Sequence, residues 1–183
     1  MPKRLFIAVD IDAATREQIG SISTEIRAEI DVRASWVRAD RMHLTLQFFA
    51  AADEALEDRI NAALAMPLQT RSFDITFDKI GFFPERGSPR VLWLAIGAGV
   101  AEIGGLQQEV QDRLKLTAER ERFVPHLTLA RFRDRVPRGR LAEIGDIRAR
   151  AGPSRIDRVT LYQSRLSPAG PTYLRLREAP LQP

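Results

Sequence analysis

The sequence predicts an α+β fold, in which helices and strands follow one another without the strict alternation of a doubly wound sheet. Three segments carry apolar residues at helical spacing, and runs rich in β-branched and aromatic residues lie between and after them. The resulting order is β-α-β-α-β, then β-α-β, then β-β. In addition, the tetrapeptide His-Leu-Thr-Leu occurs at residues 43–46 and again at residues 126–129. A repeat this distant is typical of a duplicated lobe rather than of a solenoid.

The first part of the chain predicts strands and two helices. Residues 4–10 (RLFIAVD) are a β-rich apolar run and predict the first strand. Asp12 is placed to cap a helix whose apolar residues recur at helical spacing, namely Ile19, Ile22, Ile26 and Ile30. Residues 35–49 have strand character. Asp53 then opens a second helix that Pro67 ends, with one apolar stripe formed by Leu56, Ile60 and Leu64.

The second part adds one long helix and several strands. Apolar and polar residues alternate at residues 73–77, as in a half-buried strand. Residues 81–89 contain two glycines and two prolines and predict a loop, and residues 90–96 (RVLWLAI) predict a buried strand. A third helix carries Val100, Ile103, Leu106, Val110 and Leu114. Further strands are expected at 123–132, 156–164 and 173–177, with a short helix at 138–144.

The length and composition of the chain exclude several kinds of protein and of functional site. A chain of 183 residues fits one domain or two small lobes that share a core. It has no cysteine, which excludes disulfides, thiolate metal sites and a cysteine nucleophile. No stretch approaches the roughly 20 apolar residues of a membrane span, and the apolar run at residues 5–9 is too short for a signal peptide. We therefore expect a soluble, cytoplasmic protein. The net charge is +4, and nearly all basic residues are arginine, which suits phosphate recognition but is also what a GC-rich genome alone would produce.

Each His-Leu-Thr-Leu motif predicts a functional face on a strand. Because residues i and i+2 of a strand point to the same side, His43 and Thr45 project together, and the two leucines anchor the opposite side in the core. His126 and Thr128 are arranged in the same way. These are the only two histidines of the chain. If a pseudo-twofold axis relates the motifs, the two imidazoles face each other across a groove.

Two facing imidazoles meet the needs of phosphodiester hydrolysis. One must be neutral to take a proton from water, and the other protonated to give one to the leaving oxygen. Threonine hydroxyls can donate to the non-bridging oxygens of the phosphate. A lone strand histidine is more often structural, and a two-histidine metal site is the alternative. A catalytic zinc usually takes three protein ligands, however, and neither motif carries a carboxylate at i+2 or i+4. The repeat therefore favours a metal-free acid–base pair.

Further segments complete a pattern that is known from one family. They are RLFIAV at 4–9, WV at 36–37, GFFP at 81–84, RVLW at 90–93, FVPHLTLAR at 123–131 and LYQSRL at 161–166. With the two motifs, they extend over nearly the whole chain. The chain resembles the 2H phosphoesterases and, among them, the bacterial and archaeal RNA 2′,3′-cyclic phosphodiesterases, formerly called 2′-5′ RNA ligases.

The resemblance implies a single domain over residues 1–183, built from two packed, pseudo-twofold-symmetric lobes. Mainly antiparallel sheets would line a central cleft, with helices outside. The implied reaction is hydrolysis of an RNA 2′,3′-cyclic phosphate to a 2′-phosphomonoester, by a monomer that uses no cofactor and no metal. His43 would be the proton donor to the leaving 3′ oxygen and His126 the base that activates water. Thr45 and Thr128 would hold the phosphate.

Two other residues are candidates for substrate contacts. Arg131 resembles a phosphate-binding arginine of the family, but its odd offset from His126 places it on the opposite face of a regular strand. Its contact therefore requires a bend or a strand end. Phe83, in the glycine- and proline-rich loop, is the candidate for stacking on a base. Phe48 and Trp36 are expected in the core.

Other functions remain open at this point. The same groups would hydrolyse the cyclic phosphate of a different nucleotide, and a non-catalytic module would capture RNA ends without turnover. Ligation is the reverse direction and requires a site that excludes water. Because the two motifs are identical, the residues alone do not decide which histidine is the acid and which the base.

Overall fold

A computed structural model describes residues 1–116, 123–168 and 170–183. The strands are β1 (Lys3–Asp10), β2 (Ala34–Trp36), β3 (His43–Ala52), β4 (Phe73–Phe83), β5 (Val91–Ile96), β6 (His126–Phe132), β7 (Ala151–Ile156), β8 (Arg158–Ser167) and β9 (Gly170–Pro180). The helices are α1 (Ala13–Glu29), α2 (Glu54–Ala63), α3 (Val100–Leu114) and α4 (Arg138–Gly145), with one 3-10 turn at Ala39–Arg41.

The nine strands form one continuous antiparallel sheet. Its order is β7-β4-β5-β6-β3-β1-β8-β9, and the short β2 pairs with β6. Helix α1 packs against β7 and α4, whereas α3 packs against β3 and α2. The predicted α+β class is confirmed, with a single sheet in place of separate ones.

The two motif strands are neighbours in the middle of this sheet. Strands β3 and β6 pair at Leu44 and Leu127. Beyond β3 lie β1, β8 and β9, and beyond β6 lie β5, β4 and β7, so each motif strand belongs to its own half of the sheet. Both motif histidines are the first residue of their strand. The sheet thus brings together two segments that are far apart in sequence.

Each motif strand contains a β-bulge at the same position. The register of β3 against β1 shifts at Leu46, and the register of β6 against β5 shifts at Leu129. Each of these leucines is the third residue after the motif histidine, and the residue that follows it is buried as well. A bulge adds one residue to a strand and reverses the faces of the side chains beyond it. Residues five positions after each histidine therefore return to the histidine face.

The predicted loop at residues 81–89 is wrong at its start. Strand β4 continues to Phe83, and Gly81 pairs with Trp93 of β5. A Cβ atom on Gly81 would lie 2.3 Å from the Trp93 ring, so the glycine is required for this close packing and not for a turn.

Other element boundaries also differ from the prediction. Strand β6 begins at His126 and not at residue 123, β8 and β9 are longer than expected, and β7 was not predicted. Strand β7 contains a Gly-Pro pair, which in sequence indicates a turn. The caps were predicted correctly: the Asp12 side chain accepts from the Thr15 amide and the Asp53 side chain from the Leu56 amide.

One apolar cluster forms the core and contains the motif leucines. All four are at most 3% exposed: Leu44, Leu46, Leu127 and Leu129. The predicted helical stripes are buried in the same cluster, except that Leu56 is only partly buried against it and Val100 is 46% exposed. In the described ranges, no helix combines the length and the apolar character that crossing a membrane requires. The buried leucines fix the direction of the intervening histidine and threonine side chains, which must point away from the core.

Shortening Leu44 to alanine is expected to lower the free energy of unfolding by about 2–5 kcal/mol, because it removes buried methyl groups and leaves a cavity where the two halves of the sheet meet. Urea denaturation of the wild type and the variant measures the difference. Leu174→Ala is the matched control, since Leu174 is 45% exposed and its truncation should cost little. Equal losses in both variants would contradict the central role of Leu44.

Candidate active site

The four motif side chains line one open cavity of about 570 Å³ between the two halves of the sheet. His43 and Thr45 enter it from β3, and His126 and Thr128 from β6, as strand alternation predicts. The remaining lining comes from β1, the segment before β3, later residues of β3 and β6, and the β8–β9 hairpin: Arg4, Phe6, Val37, Arg41, Phe48, Arg131, Ser164, Leu166, Pro171 and Tyr173. The structure therefore brings the repeated motifs to a single site.

Both imidazoles are held in the same way. The Nδ1 atom of His43 lies 2.7 Å from the carbonyl oxygen of Arg41, and Nδ1 of His126 lies 2.8 Å from that of Val124. A carbonyl oxygen only accepts, so Nδ1 carries the hydrogen and donates it. In each case the acceptor is two residues before the histidine, just ahead of the strand. Each ring is thereby oriented, and its Nε2 atom is left to gain or lose a proton.

Burial lowers the pKa of both histidines below the ordinary value of 6.5. For His43, the carbonyl of Arg41 and the negative charge of Asp10 act in the opposite direction and raise the pKa, whereas the charge of His126 lowers it further. For His126, the Val124 carbonyl raises the pKa and the positive charge of Arg131 lowers it. The two identical motifs thus have different electrostatic surroundings.

Aromatic rings enclose His43. Phe6 stacks on the imidazole with ring centroids 4.8 Å apart, and Tyr173 meets it edge-on at 5.3 Å. Tyr162 also stacks on Phe6, with ring centroids 5.1 Å apart, and lies 6.4 Å from the His43 ring. These rings exclude water from one side of His43 and fix the plane of its imidazole. Sequence reasoning missed Phe6 and Tyr173, because their contact with His43 depends on strand pairing.

A different aromatic pair supports His126. Phe83 meets the imidazole edge-on at 5.0 Å, and Trp93 does so at 5.7 Å. Phe83 and Trp93 are stacked on each other with centroids 4.7 Å apart. The structure thus places Phe83 beside the catalytic candidate, with one ring face covered by Trp93. The stacking of Phe83 on a base stays a prediction.

The bulge at Leu129 decides the position of Arg131. Regular alternation would have put this side chain on the face opposite to His126, but the extra residue returns it to the cavity. The bend that the prediction required is therefore present.

The equivalent bulge at Leu46 brings Phe48 to the cavity, where its side chain is 44% exposed. The prediction that Phe48 belongs to the core is wrong for this reason. The guanidinium of Arg4 lies over the Phe48 ring, 5.2 Å from its centroid. An exposed aromatic ring with a cation on one face is a surface on which a nucleobase stacks. Trp36, the other aromatic residue expected in the core, does pack partly buried against it.

The described lining of the cavity is cationic and includes no carboxylate. Three arginines line it, namely Arg4, Arg41 and Arg131. Within the described ranges, none of the three forms a salt bridge, in contrast to the arginines paired on the outer surface. Residues 1–116, 123–168 and 170–183 also contain no group of three metal-ligating side chains placed to hold an ion. This lining suits an anion, and its donor set does not suit a divalent metal.

Comparison with known proteins gives a consistent result. The profile of the 2′-5′ RNA ligase superfamily matches residues 13–167. The RNA 2′,3′-cyclic phosphodiesterase of Archaeoglobus fulgidus is 34% identical over 181 residues, which cover 95% of this chain and 98% of that protein. The enzyme of the same name from Methanothermobacter thermautotrophicus is 32% identical, covering 94% of this chain and 96% of that one.

Solved structures agree with this relationship. The crystal structure of E. coli LigT in its apo form superimposes with a TM-score of 0.78 at 25% identity, and covers 100% of this chain and 99% of LigT. LigT complexed with 3′-AMP gives a TM-score of 0.75 at 26% identity, covering 98% of both chains. The chain belongs to the 2′-5′ RNA ligase superfamily, the 2H phosphoesterases that its repeated motifs resemble.

Proposed function

We propose that this protein is an RNA 2′,3′-cyclic phosphodiesterase that opens the cyclic phosphate to a 2′-phosphomonoester by metal-free acid–base catalysis. The observation that carries the proposal is the pair of oriented imidazoles lining one arginine-rich cavity, each with Nδ1 bound to a backbone carbonyl. The curated relatives named RNA 2′,3′-cyclic phosphodiesterase support the substrate. The crystal structure of LigT complexed with 3′-AMP supports a nucleotide as the ligand.

The proposed reaction uses one proton transfer on each side of the phosphorus. The neutral Nε2 of His126 takes a proton from water as its oxygen attacks the phosphorus. The protonated Nε2 of His43 gives a proton to the departing 3′ oxygen, so the phosphate stays on the 2′ oxygen. Thr45 and Thr128 donate to the non-bridging oxygens, and Arg131 balances their charge in the transition state. After product release, His126 is protonated and His43 is neutral. Proton exchange with bulk water restores the initial protonation states.

The surroundings of the histidines support this assignment of acid and base. The carboxylate of Asp10 favours the charged form of His43, and the guanidinium of Arg131 favours the neutral form of His126. A metal is not needed in this scheme, because a neutral histidine activates the water and arginine balances the phosphate charge. A binding module without turnover would gain little from two histidines that both tend to lose their charge.

We expect the nucleoside of the substrate on the β3 side of the cavity. This wall is the more apolar one, because Phe6, Phe48, Leu166 and Pro171 contribute to it. The exposed ring of Phe48 is available to the terminal base, with Arg4 beside it for a phosphate of the preceding nucleotide. The opposite side, near Arg131, is left to the attacking water.

The wild type is expected to convert 2′,3′-cyclic AMP to 2′-AMP, and His43→Ala and His126→Ala are each expected to lower kcat by about 10²–10⁴-fold, because each removes one proton transfer. Chromatography that separates the 2′ and 3′ isomers measures rate and product together. A 3′-monophosphate product would contradict the proposed protonation of the 3′ oxygen.

A phosphodiester with a 4-nitrophenolate leaving group distinguishes the general acid from the general base when it is tested on His43→Ala and His126→Ala. This leaving group departs without a proton and therefore needs no general acid. It is expected to restore turnover in His43→Ala but not in His126→Ala. The opposite pattern would reverse the assignment of acid and base.

The kcat/KM of the wild type is expected to be bell-shaped in pH, rising as His126 loses its proton and falling as His43 loses its own. Since burial lowers both pKa values below 6.5, the maximum should lie on the acidic side of 6.5. Initial rates for 2′,3′-cyclic AMP in buffers that contain EDTA measure the profile. A profile without an acidic limb, or activity that disappears in EDTA, would contradict the metal-free histidine pair.

Phe48→Ala is expected to raise KM for a short RNA with a cyclic phosphate end, with kcat little changed, because stacking on a base is worth about 1–3 kcal/mol and acts on substrate and transition state alike. Phe48→Tyr retains the ring and should behave as the wild type. Steady-state kinetics on the same RNA give both constants. An unchanged KM in the alanine variant would remove Phe48 from the substrate site.

A further inference from the structure

The two halves of the site differ most at the residue directly opposite each motif histidine. In the antiparallel register, Asp10 of β1 pairs with His43, whereas Ala95 of β5 pairs with His126. Directly opposed residues of antiparallel strands project from the same face and interact with each other. One imidazole therefore has a carboxylate as its cross-strand neighbour, and the other has a methyl group.

We propose that Asp10 is a positioning residue that keeps the proton on His43 and so makes His43, rather than its twin, the general acid. The proposal rests on the function proposed above, because only an acid–base reaction needs the two imidazoles in different protonation states. Asp10 acts through its charge, since Nδ1 of His43 is already bound to the Arg41 carbonyl. It lies with His43 along a second, more polar cavity that adjoins the first.

The carboxylate of Asp10 is fixed in place by its neighbours. The Tyr162 hydroxyl donates to both of its oxygens, at 2.7 and 2.8 Å, and the Thr160 hydroxyl lies 3.3 Å from one of them. Burial raises the pKa of Tyr162, so the phenol keeps its hydrogen and remains a donor near neutral pH. Arg175 contributes one contact at 3.3 Å and is itself shared with Glu178 at 2.7 Å.

These contacts hold the negative charge of Asp10 beside His43 without neutralising it. A carboxylate bound mainly by neutral hydroxyl groups keeps its charge, whereas a bidentate arginine partner would balance it. The single long contact to Arg175, which Glu178 also pairs, balances it only in part. Asp10 is therefore ready to stabilise an imidazolium at His43.

The charged and titratable groups around His43 come from five elements, and most of them are neutral or cationic. They are Arg4 and Asp10 of β1, Asp40 and Arg41 of the 3-10 turn, His126 and Arg131 of β6, Tyr162 of β8, and Tyr173 and Arg175 of β9. The carboxylate of Asp40 is paired with Arg38 at 3.1 Å. Asp10 is the one carboxylate that acts on the charge of His43 among the described contributors. Burial and the charge of His126 lower the pKa of His43, whereas the Arg41 carbonyl and the charge of Asp10 raise it. The Arg41 carbonyl has an equivalent at His126 in the Val124 carbonyl, so Asp10 is the contribution to the acid form that the other half lacks.

The test measures the two histidine pKa values directly. Because the chain has only two histidines, an NMR titration of the imidazole signals gives two curves, which His126→Ala assigns. Asp10→Asn is expected to shift the His43 curve to lower pH and to leave the His126 curve nearly in place. The same variant should shift the descending limb of kcat/KM to lower pH, so that activity is reduced at neutral pH and recovers on acidification.

Three further variants test whether the effect depends on the charge and the position of the Asp10 carboxylate. Asp10→Glu retains the charge and should keep the descending limb close to that of the wild type. Ala95→Asp places a carboxylate opposite His126 and should shift that histidine's curve, and the ascending limb, to higher pH. Asp74→Asn removes an exposed strand aspartate that is paired with Arg155 and should shift neither curve.

An unchanged His43 curve in Asp10→Asn, or a shift of the ascending limb instead of the descending one, would overturn the proposal. The NMR titration needs no substrate. If the wild type fails to open a cyclic phosphate but the His43 curve still shifts, the proposed function is wrong while the electrostatic effect of Asp10 stands. If cyclic phosphate is hydrolysed and the His43 curve does not move, the function stands and the role of Asp10 is wrong.

Discussion

The site depends on the pairing of Leu44 with Leu127 at the centre of the sheet. This contact joins two strands that belong to different halves of the molecule, and the leucines of both motifs are buried behind it. Since side chains of a strand alternate, burying the leucines directs the histidine and threonine side chains out of the core and into the same cavity. The geometry of the motif histidines and threonines is therefore a consequence of core packing, and the leucines of the motif matter as much as the residues between them.

The sequence was informative wherever structure depends on local pattern. Asp12 and Asp53 cap helices because an aspartate at an N-cap accepts from an amide in the first turn, and the isoleucines of α1 are buried because their spacing places them on one face. The faces of His43 and His126 followed from alternation over only three residues. These predictions required no knowledge of which strands are neighbours.

Features that depend on strand pairing could not be predicted. The bulges at Leu46 and Leu129 exist only relative to the neighbouring strands, yet they move Phe48 and Arg131 to the cavity face. Gly81 looked like the beginning of a loop because its actual reason, the Trp93 ring packed on its backbone, lies on another strand. The sequence therefore predicts the motif residues of the candidate site, whereas the remaining lining of the cavity depends on long-range register.

Because the two motifs are identical, their own residues do not determine which histidine is protonated and which is neutral. Two equivalent imidazoles would adopt the required combination, one protonated and the other neutral, in at most about a quarter of the molecules, and a reversed order of pKa values would make it rarer still. The order must therefore come from neighbours that break the symmetry. Across the strands, Asp10 stands where the other half has Ala95. Five residues after the motif histidine, strand β6 has Arg131 whereas strand β3 has Phe48. A negative charge beside His43 and a positive charge beside His126 act in the same direction, so the two differences reinforce each other.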